Sequence, residues 1–190
     1  KYDERNKLEI YNDFNKNNQN FVITVKPTLY KNEEINIHSL SGISNVDTIN
    51  CNENGKYSYY KSDRYGFNNP DNEWDSSHIE YFLLGDSFVH GACVNRNDDI
   101  ASVLRILSKK SVLNLGYDNN GPLLEYATLR EYFQNNVKKV LWFYYEGNDL
   151  INLPHELNID LLKNYLYDND FSQHLKNQQS KIDNLGKNQI

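Results

Sequence analysis

Methionine is absent from this chain of 190 residues, cysteine occurs twice and proline only four times. The sequence begins at Lys1 without a methionine, so a preceding segment is expected, and a leader or anchor within it would leave no trace here. No apolar stretch approaches the ~20 residues that span a bilayer, so no transmembrane helix is expected. Basic runs and basic–aromatic interleaving are missing too. With a formal net charge of -6, neither nucleic acid nor an anionic membrane surface is an expected partner. The five histidines are scattered, no His/Cys cluster has ligand spacing, and no metal is expected. Cys51 and Cys93 carry no spacing signature. They read as two free thiols, with a disulfide the alternative in an oxidising compartment. Gly85 and Gly91 form neither a dinucleotide G-x-G-x-x-G nor a Walker pattern, which argues against a nucleotide or flavin cofactor on a flavodoxin-like sheet.

One domain is the default at this length, with room for a substantial core. Asparagine is over-used, densest over 12–20 and 177–188, which reads as compositional bias with local disorder. Residues 1–20 are expected to form an amphipathic helix, with Leu8, Tyr11 and Phe14 at helical spacing. Residues 21–75 read as an irregular β-containing lead-in. It has strand character over 21–30 up to Pro27, a β-like piece at 56–60, and turn signals at Ser41-Gly42 and Asn54-Gly55. Within it, the turn-rich 62–75 segment, with buried-looking aromatics, is expected to lie near a site.

From 76 to 190 the pattern alternates. Strand 79–84 is followed by a helix over 98–109, capped by Asn97 or Asp98 and striped by Ile100, Val103, Leu104 and Leu107. Strand 111–115 comes next, then a helix opened by Pro122 and running to about 134, then strand 137–145. Residues 157–167 and 171–185 read as polar helices. Strands alternating with helices predict an α/β fold, a doubly wound parallel sheet.

Three of these strands end in small or polar residues. The first junction is 79–94, IEYFLLGDSFVHGACV, which places Ser87 at a tight strand-to-helix turn. The second is 112–121, VLNLGYDNNG, and the third is 140–149, VLWFYYEGND. Side chains at the carboxyl ends of parallel strands face the crevice of an open α/β sheet, and the following helix aims its free N–H groups there. A serine hydroxyl so exposed needs a base and donors for a developing oxyanion before it can act as a nucleophile. Each residue also has a plainer reading. Ser87 serves as a helix N-cap, Asn148 as a turn former tolerant of left-handed backbone, and 119–121 as an Asn-Gly turn before a Pro-capped helix. Trp142, Tyr144 and Tyr145 read as core and crevice wall.

These junctions resemble the blocks of the SGNH hydrolases, the GDSL-like lipase and esterase superfamily, over residues 63–153. Gly85-Asp86-Ser87 looks like the first block, which supplies the nucleophile. Asn114-Leu115-Gly116 and the following loop look like the second, and Gly147-Asn148-Asp149 matches the third. The resemblance implies that Ser87 attacks and donates its own N–H, and that Asn148 donates its side-chain amide. Gly85, Asp86, Gly147 and Asp149 support them. The second block departs from the family pattern: three residues past Gly116 stands Asn119 rather than glycine. Asn119 is nonetheless the chosen backbone donor, because Asn tolerates positive φ, and Gly121 is the fallback.

The resemblance also implies a histidine base in a D-x-x-H block near the carboxyl end, and none follows Asp149. The only copy, Asp75 to His78, precedes Ser87; a strand rising ~3.3 Å per residue puts His78 roughly 20 Å from the strand's far end. His90 reads as a packing or surface residue. His155 lies near the crevice mouth without the family's spacing, and His174 sits on a polar helix. The expectation is an incomplete SGNH-like sheet, of three strands where the family has about five, whose base lies beyond Ile190. The implied activity is ester hydrolysis or O-acyl transfer on an acylated small molecule, lipid or carbohydrate, without a cofactor. The alternative is a non-catalytic carbohydrate- or ligand-binding module on the same scaffold.

Overall fold

The chain enters through helix α1 (Lys7–Asn15), which starts where Asn6 and Glu9 satisfy each other's backbone. Asn6 Oδ1 accepts the Glu9 N–H at 3.0 Å and the Glu9 carboxylate accepts the Asn6 N–H at 2.7 Å, a capping box. The buried residue of this helix is Ile10, whereas Leu8 of the expected stripe faces solvent. In this computed structural model residues 2–16, 20–27 and 37–190 are described. The expected strand over 21–30 is realised as β1 (Phe21–Ile23), and its end past residue 27 lies outside the described residues.

β1 pairs in parallel with β2 (Asp47–Ile49), and β2 pairs antiparallel with β3 (Tyr59–Lys61). β3 therefore begins three residues later than the β-like piece expected from 56. A loop and a short 3-10 helix (Asp71–Asp75) lead to the second sheet. Asp63 organises that loop from a fully buried position. Its carboxylate accepts the N–H groups of Tyr65 and Phe67, Asn69 Nδ2 and Trp74 Nε1, while burial pushes it up to about 6 against those bonds. Asn69 carries the connection onward: its Oδ1 accepts the backbone N–H of Asn114 at 2.8 Å and its Nδ2 donates to the Asn114 carbonyl. The aromatic-rich loop is thus fastened to a strand of the second sheet.

That sheet is all parallel, in the order β5 (Val112–Asn114), β4 (Ile79–Leu84), β6 (Val137–Trp142). The architecture is mixed α/β, as the alternation predicts. β4 is the central strand, and its successive side chains feed two cores on opposite faces. Phe82 and Leu84 join Leu113, Leu115, Phe67 and helix α4 (Pro122–Tyr132) in the larger core. Leu83 joins Val112, Val89 of α2 (Ser87–His90) and Ala101 of α3 (Ile100–Ser108) in the smaller one. The carboxyl-terminal part forms α5 (Asp149–Glu156), α6 (Asp160–Tyr167), a 3-10 turn (Leu175–Asn177) and α7 (Gln179–Lys187).

Several expectations are corrected. The cap of α3 is Asp99, whose Oδ1 accepts the Ser102 N–H, not Asn97 or Asp98. Its stripe is only partly covered: Leu104 packs against the smaller core beside buried Ala101 and Ser102, while Ile100, Val103 and Leu107 are exposed. The helix expected over 157–167 is present as α6, and an additional helix not expected from the sequence, α5, precedes it and contains Pro154. The Asn-rich 177–188 segment is ordered as α7, which buries Ile182 and Leu185. Trp142 at the end of β6, and Tyr144 and Tyr145 just past it, are about half exposed rather than core. Finally, Cys51 and Cys93 are joined as a disulfide, with Cα atoms 4.7 Å apart. The pairing follows from two loops that meet across the boundary between the sheets, which no spacing in the sequence encodes. Among the described residues no helix is long and apolar enough to cross a membrane.

Candidate active site

Because β5, β4 and β6 run the same way, their three following turns open at one end of the sheet. The pairing continues past the strands. Leu115 N–H donates to Leu83, Tyr117 N–H to Gly85 and Phe143 N–H to Leu84. Gly85 and Gly116 let the turns close. A Cβ on either would fall 2.5 Å from an atom of Val89, so both backbones lie directly against α2.

Asp86, not Ser87, caps α2, with its Oδ1 accepting the Phe88 N–H at 2.9 Å. The capping alternative for Ser87 is thereby removed. Among the described residues neither the N–H nor the hydroxyl of Ser87 is engaged, and the residue is half-buried. Asn148 comes to the same place from β6. Its Nδ2 donates one hydrogen to Asp86 Oδ2 at 3.1 Å, which leaves the second N–H of that amide for another acceptor. Asn148 also lies in a turn, its N–H donating to the Tyr145 carbonyl at 3.3 Å, but its backbone, at φ -137°, is not left-handed. The turn is closed further by Asp149, fully buried, whose Oδ2 accepts the Tyr145 N–H at 2.7 Å. Burial raises the pKa of Asp149 against that bond.

The second-block loop separates the two candidate donors. Asn119 takes φ 69°, and among the described residues its N–H has no partner; its side-chain oxygen lies 3.4 Å from Lys26 Nζ. Gly121, the fallback, donates its N–H to Glu156 Oε1 at 2.6 Å. It is already occupied. Thus the Asn148 amide reaches the residue before Ser87, Asn119 lies in the neighbouring loop after β5, and Gly121 is engaged by Glu156.

Beneath the turns lies an acidic layer that sequence reasoning missed. Glu125 is buried on α4 and accepts the Trp142 Nε1–H; burial, with the nearby Asp149, Asp86 and Glu156 carboxylates, pushes it up to about 8. Glu156 is also raised by burial while accepting the Gly121 and Leu123 N–H groups. Asn120 is fully buried with neither side-chain atom hydrogen-bonded, and Glu125 Oε1, Asn148 Oδ1 and Asp149 Oδ1 are likewise buried and unpartnered. The only signal for this layer was the adjacency of Asn119, Asn120 and Gly121, which marked a turn and not a buried amide.

None of the five histidines bonds Ser87. His78 pairs with Glu80 at 3.1 Å and its D-x-x-H partner Asp75 is held by Arg64. His155 is exposed near the end of α5, six residues past Asp149 and so about 9 Å along the helix from the turn. His174 is exposed beside Ser172, and His38 is half-buried next to Gln173. His90 is fully buried and bonded to Tyr60 and Asp118, which places it in the interior and not on the surface. No protein-family model matches the chain, and neither curated proteins nor solved structures give a match.

Proposed function

We propose that this chain carries the nucleophile and oxyanion-binding half of a serine ester hydrolase or O-acyl transferase, on a doubly wound, flavodoxin-like sheet of the SGNH type. The observation that carries the reading is the convergence of three turns at one end of a parallel sheet, with the Asn148 amide tied to the residue preceding Ser87. In this reading Ser87 Oγ attacks the carbonyl carbon of an acylated small molecule, lipid or carbohydrate. The carbonyl electron pair moves onto oxygen, where the N–H groups of Ser87 and Asn119 and the second Asn148 N–H hold it. The hydroxyl proton passes to a histidine supplied from outside these 190 residues, which returns it to the leaving alcohol. Water or an acceptor hydroxyl then resolves the acyl-serine. No step calls for a cofactor.

A second reading, a non-catalytic carbohydrate- or ligand-binding module, is favoured by one observation: no histidine of the chain reaches Ser87. A fluorophosphonate probe, applied to protein that includes the segment supplying the histidine, separates the two. The acyl-serine reading expects an adduct on Ser87, located by peptide mass spectrometry and absent from Ser87→Ala. Asn148→Ala is expected to slow labelling by ~10²–10³-fold, the usual cost of one oxyanion donor. A protein that binds acylated sugars yet takes no label at Ser87 belongs to the second reading.

A further inference from the structure

His90 stands one turn beyond Ser87 on α2, in the interior where no substrate reaches it. Its Nδ1 accepts the backbone N–H of Asp118 at 3.2 Å. A backbone N–H can only donate, so Nδ1 bears no proton and the hydrogen of the neutral ring is on Nε2. Nε2–H therefore donates to the Tyr60 hydroxyl at 2.9 Å. The ring also stacks on Tyr117, 4.6 Å away and 17° from parallel. The backbone of His90 is fixed independently: its N–H donates to the Asp86 carbonyl, and its carbonyl accepts Asn68 Nδ2. One imidazole thus touches the helix that begins at Ser87, the loop that presents Asn119, and β3 of the other sheet.

We propose that His90 is a positioning residue that sets the spacing between the two backbone donors of the oxyanion site, the N–H groups of Ser87 and Asn119. This rests on the acyl-serine reading above. Asn119 needs such a tie because it sits in left-handed backbone with an unengaged N–H, and the bond to Asp118 is the nearest constraint on where that N–H points. Packing alone does not account for the residue. A phenylalanine would stack on Tyr117 equally well but would leave the Asp118 N–H and the Tyr60 hydroxyl without this partner. Nor is the tie a pH switch: burial and the Lys7 ammonium, opposed by Asp99, hold the ring neutral down to about 3.

Three substitutions, made in protein that includes the segment supplying the histidine, test the proposal, read by amide hydrogen exchange at Asp118 and by the fluorophosphonate labelling rate of folded protein. His90→Asn keeps an acceptor oxygen near the place of Nδ1. His90→Gln places its polar atoms near Nε2, and His90→Phe keeps only the ring. The expected result is that His90→Asn exchanges and labels within about threefold of the parent. His90→Gln and His90→Phe are expected to lose protection at the Asp118 amide and to label on the order of 10- to 100-fold more slowly, as displacing one oxyanion donor predicts. If His90→Phe does not fold, the Asn and Gln variants decide. Equal labelling by parent and His90→Gln overturns the role of His90 and leaves the acyl-serine reading standing, as does unchanged exchange at Asp118. A parent protein that takes no label at Ser87 overturns both.

Discussion

Helices α3 and α4 flank the same central strand and treat their side chains in opposite ways. α3 is the more regularly amphipathic in sequence, yet it buries Ala101 and Ser102 and leaves Ile100, Val103, Ile106 and Leu107 in solvent, Leu107 at 77% exposure. α4 has no clear stripe, yet it buries Leu123, Leu124 and Ala127 together with two acids, Glu125 and Glu131. The difference lies in what surrounds each helix. α3 meets only the small core around Leu83 and Val112, and Arg105 reaches past it to the Val112 carbonyl and Asn69. α4 is enclosed by β4, α5, α6 and the 3-10 turn at Leu175, so even polar residues on it are desolvated and must find partners. Periodicity reports that a stripe exists. The neighbours decide whether the stripe is the side that is covered.

The sharpest way to break this contrast is Glu131→Ala. Glu131 accepts from Tyr165 Oη, Ser172 Oγ and the N–H groups of Gln173 and Leu175, so its loss strands four buried or half-buried donors. Urea unfolding is expected to show a loss of about 3–5 kcal/mol and loosening of the segment after α6. Next comes Glu125→Gln, read as a function of pH. The folded-state pKa of Glu125 is raised from 4.5 to about 8, so the folded protein binds the extra proton between those values. Stability contributed by this group is present below pH 4.5 and is lost as pH rises through 8. The variant does not titrate there, so its advantage over the parent grows with pH, to about 1–3 kcal/mol at pH 9. The smallest effect is expected on α3. Leu107→Ser should change the unfolding midpoint by less than ~0.5 kcal/mol, because the side chain it removes is already in water. A loss of several kcal/mol there would mean that the outward stripe is covered in solution.

Much of the second sheet was legible because its signals are local. Strand 79–84 was placed at its observed bounds, and the helix opened by Pro122 begins where a residue without an N–H costs nothing. The turns of the candidate site were legible to the same extent: the three loops that carry Ser87, Asn119 and Asn148 follow strands whose parallel register sets them at one end of the sheet. What escaped depends on long-range encounters. Glu125 and Glu131 look like ordinary solvent-facing acids until α5, α6 and β6 are folded over them. Pro154 sits at the sixth position of α5, where its missing N–H removes one i→i−4 hydrogen bond to the Leu150 carbonyl. The left-handed φ of Asn119 was anticipated from residue type, whereas the engagement of Gly121 by Glu156 needed a side chain 35 positions away.

The link between Cys51 and Cys93 encloses β3, the whole of β4 and the hydroxyl-bearing turn in one covalent ring. A protease that nicks the exposed Glu53–Asn54 tip once would therefore yield two pieces that still travel as a single molecule, parting only when a reductant is added. Severing the backbone there leaves the serine moored to the amino-terminal sheet by sulfur.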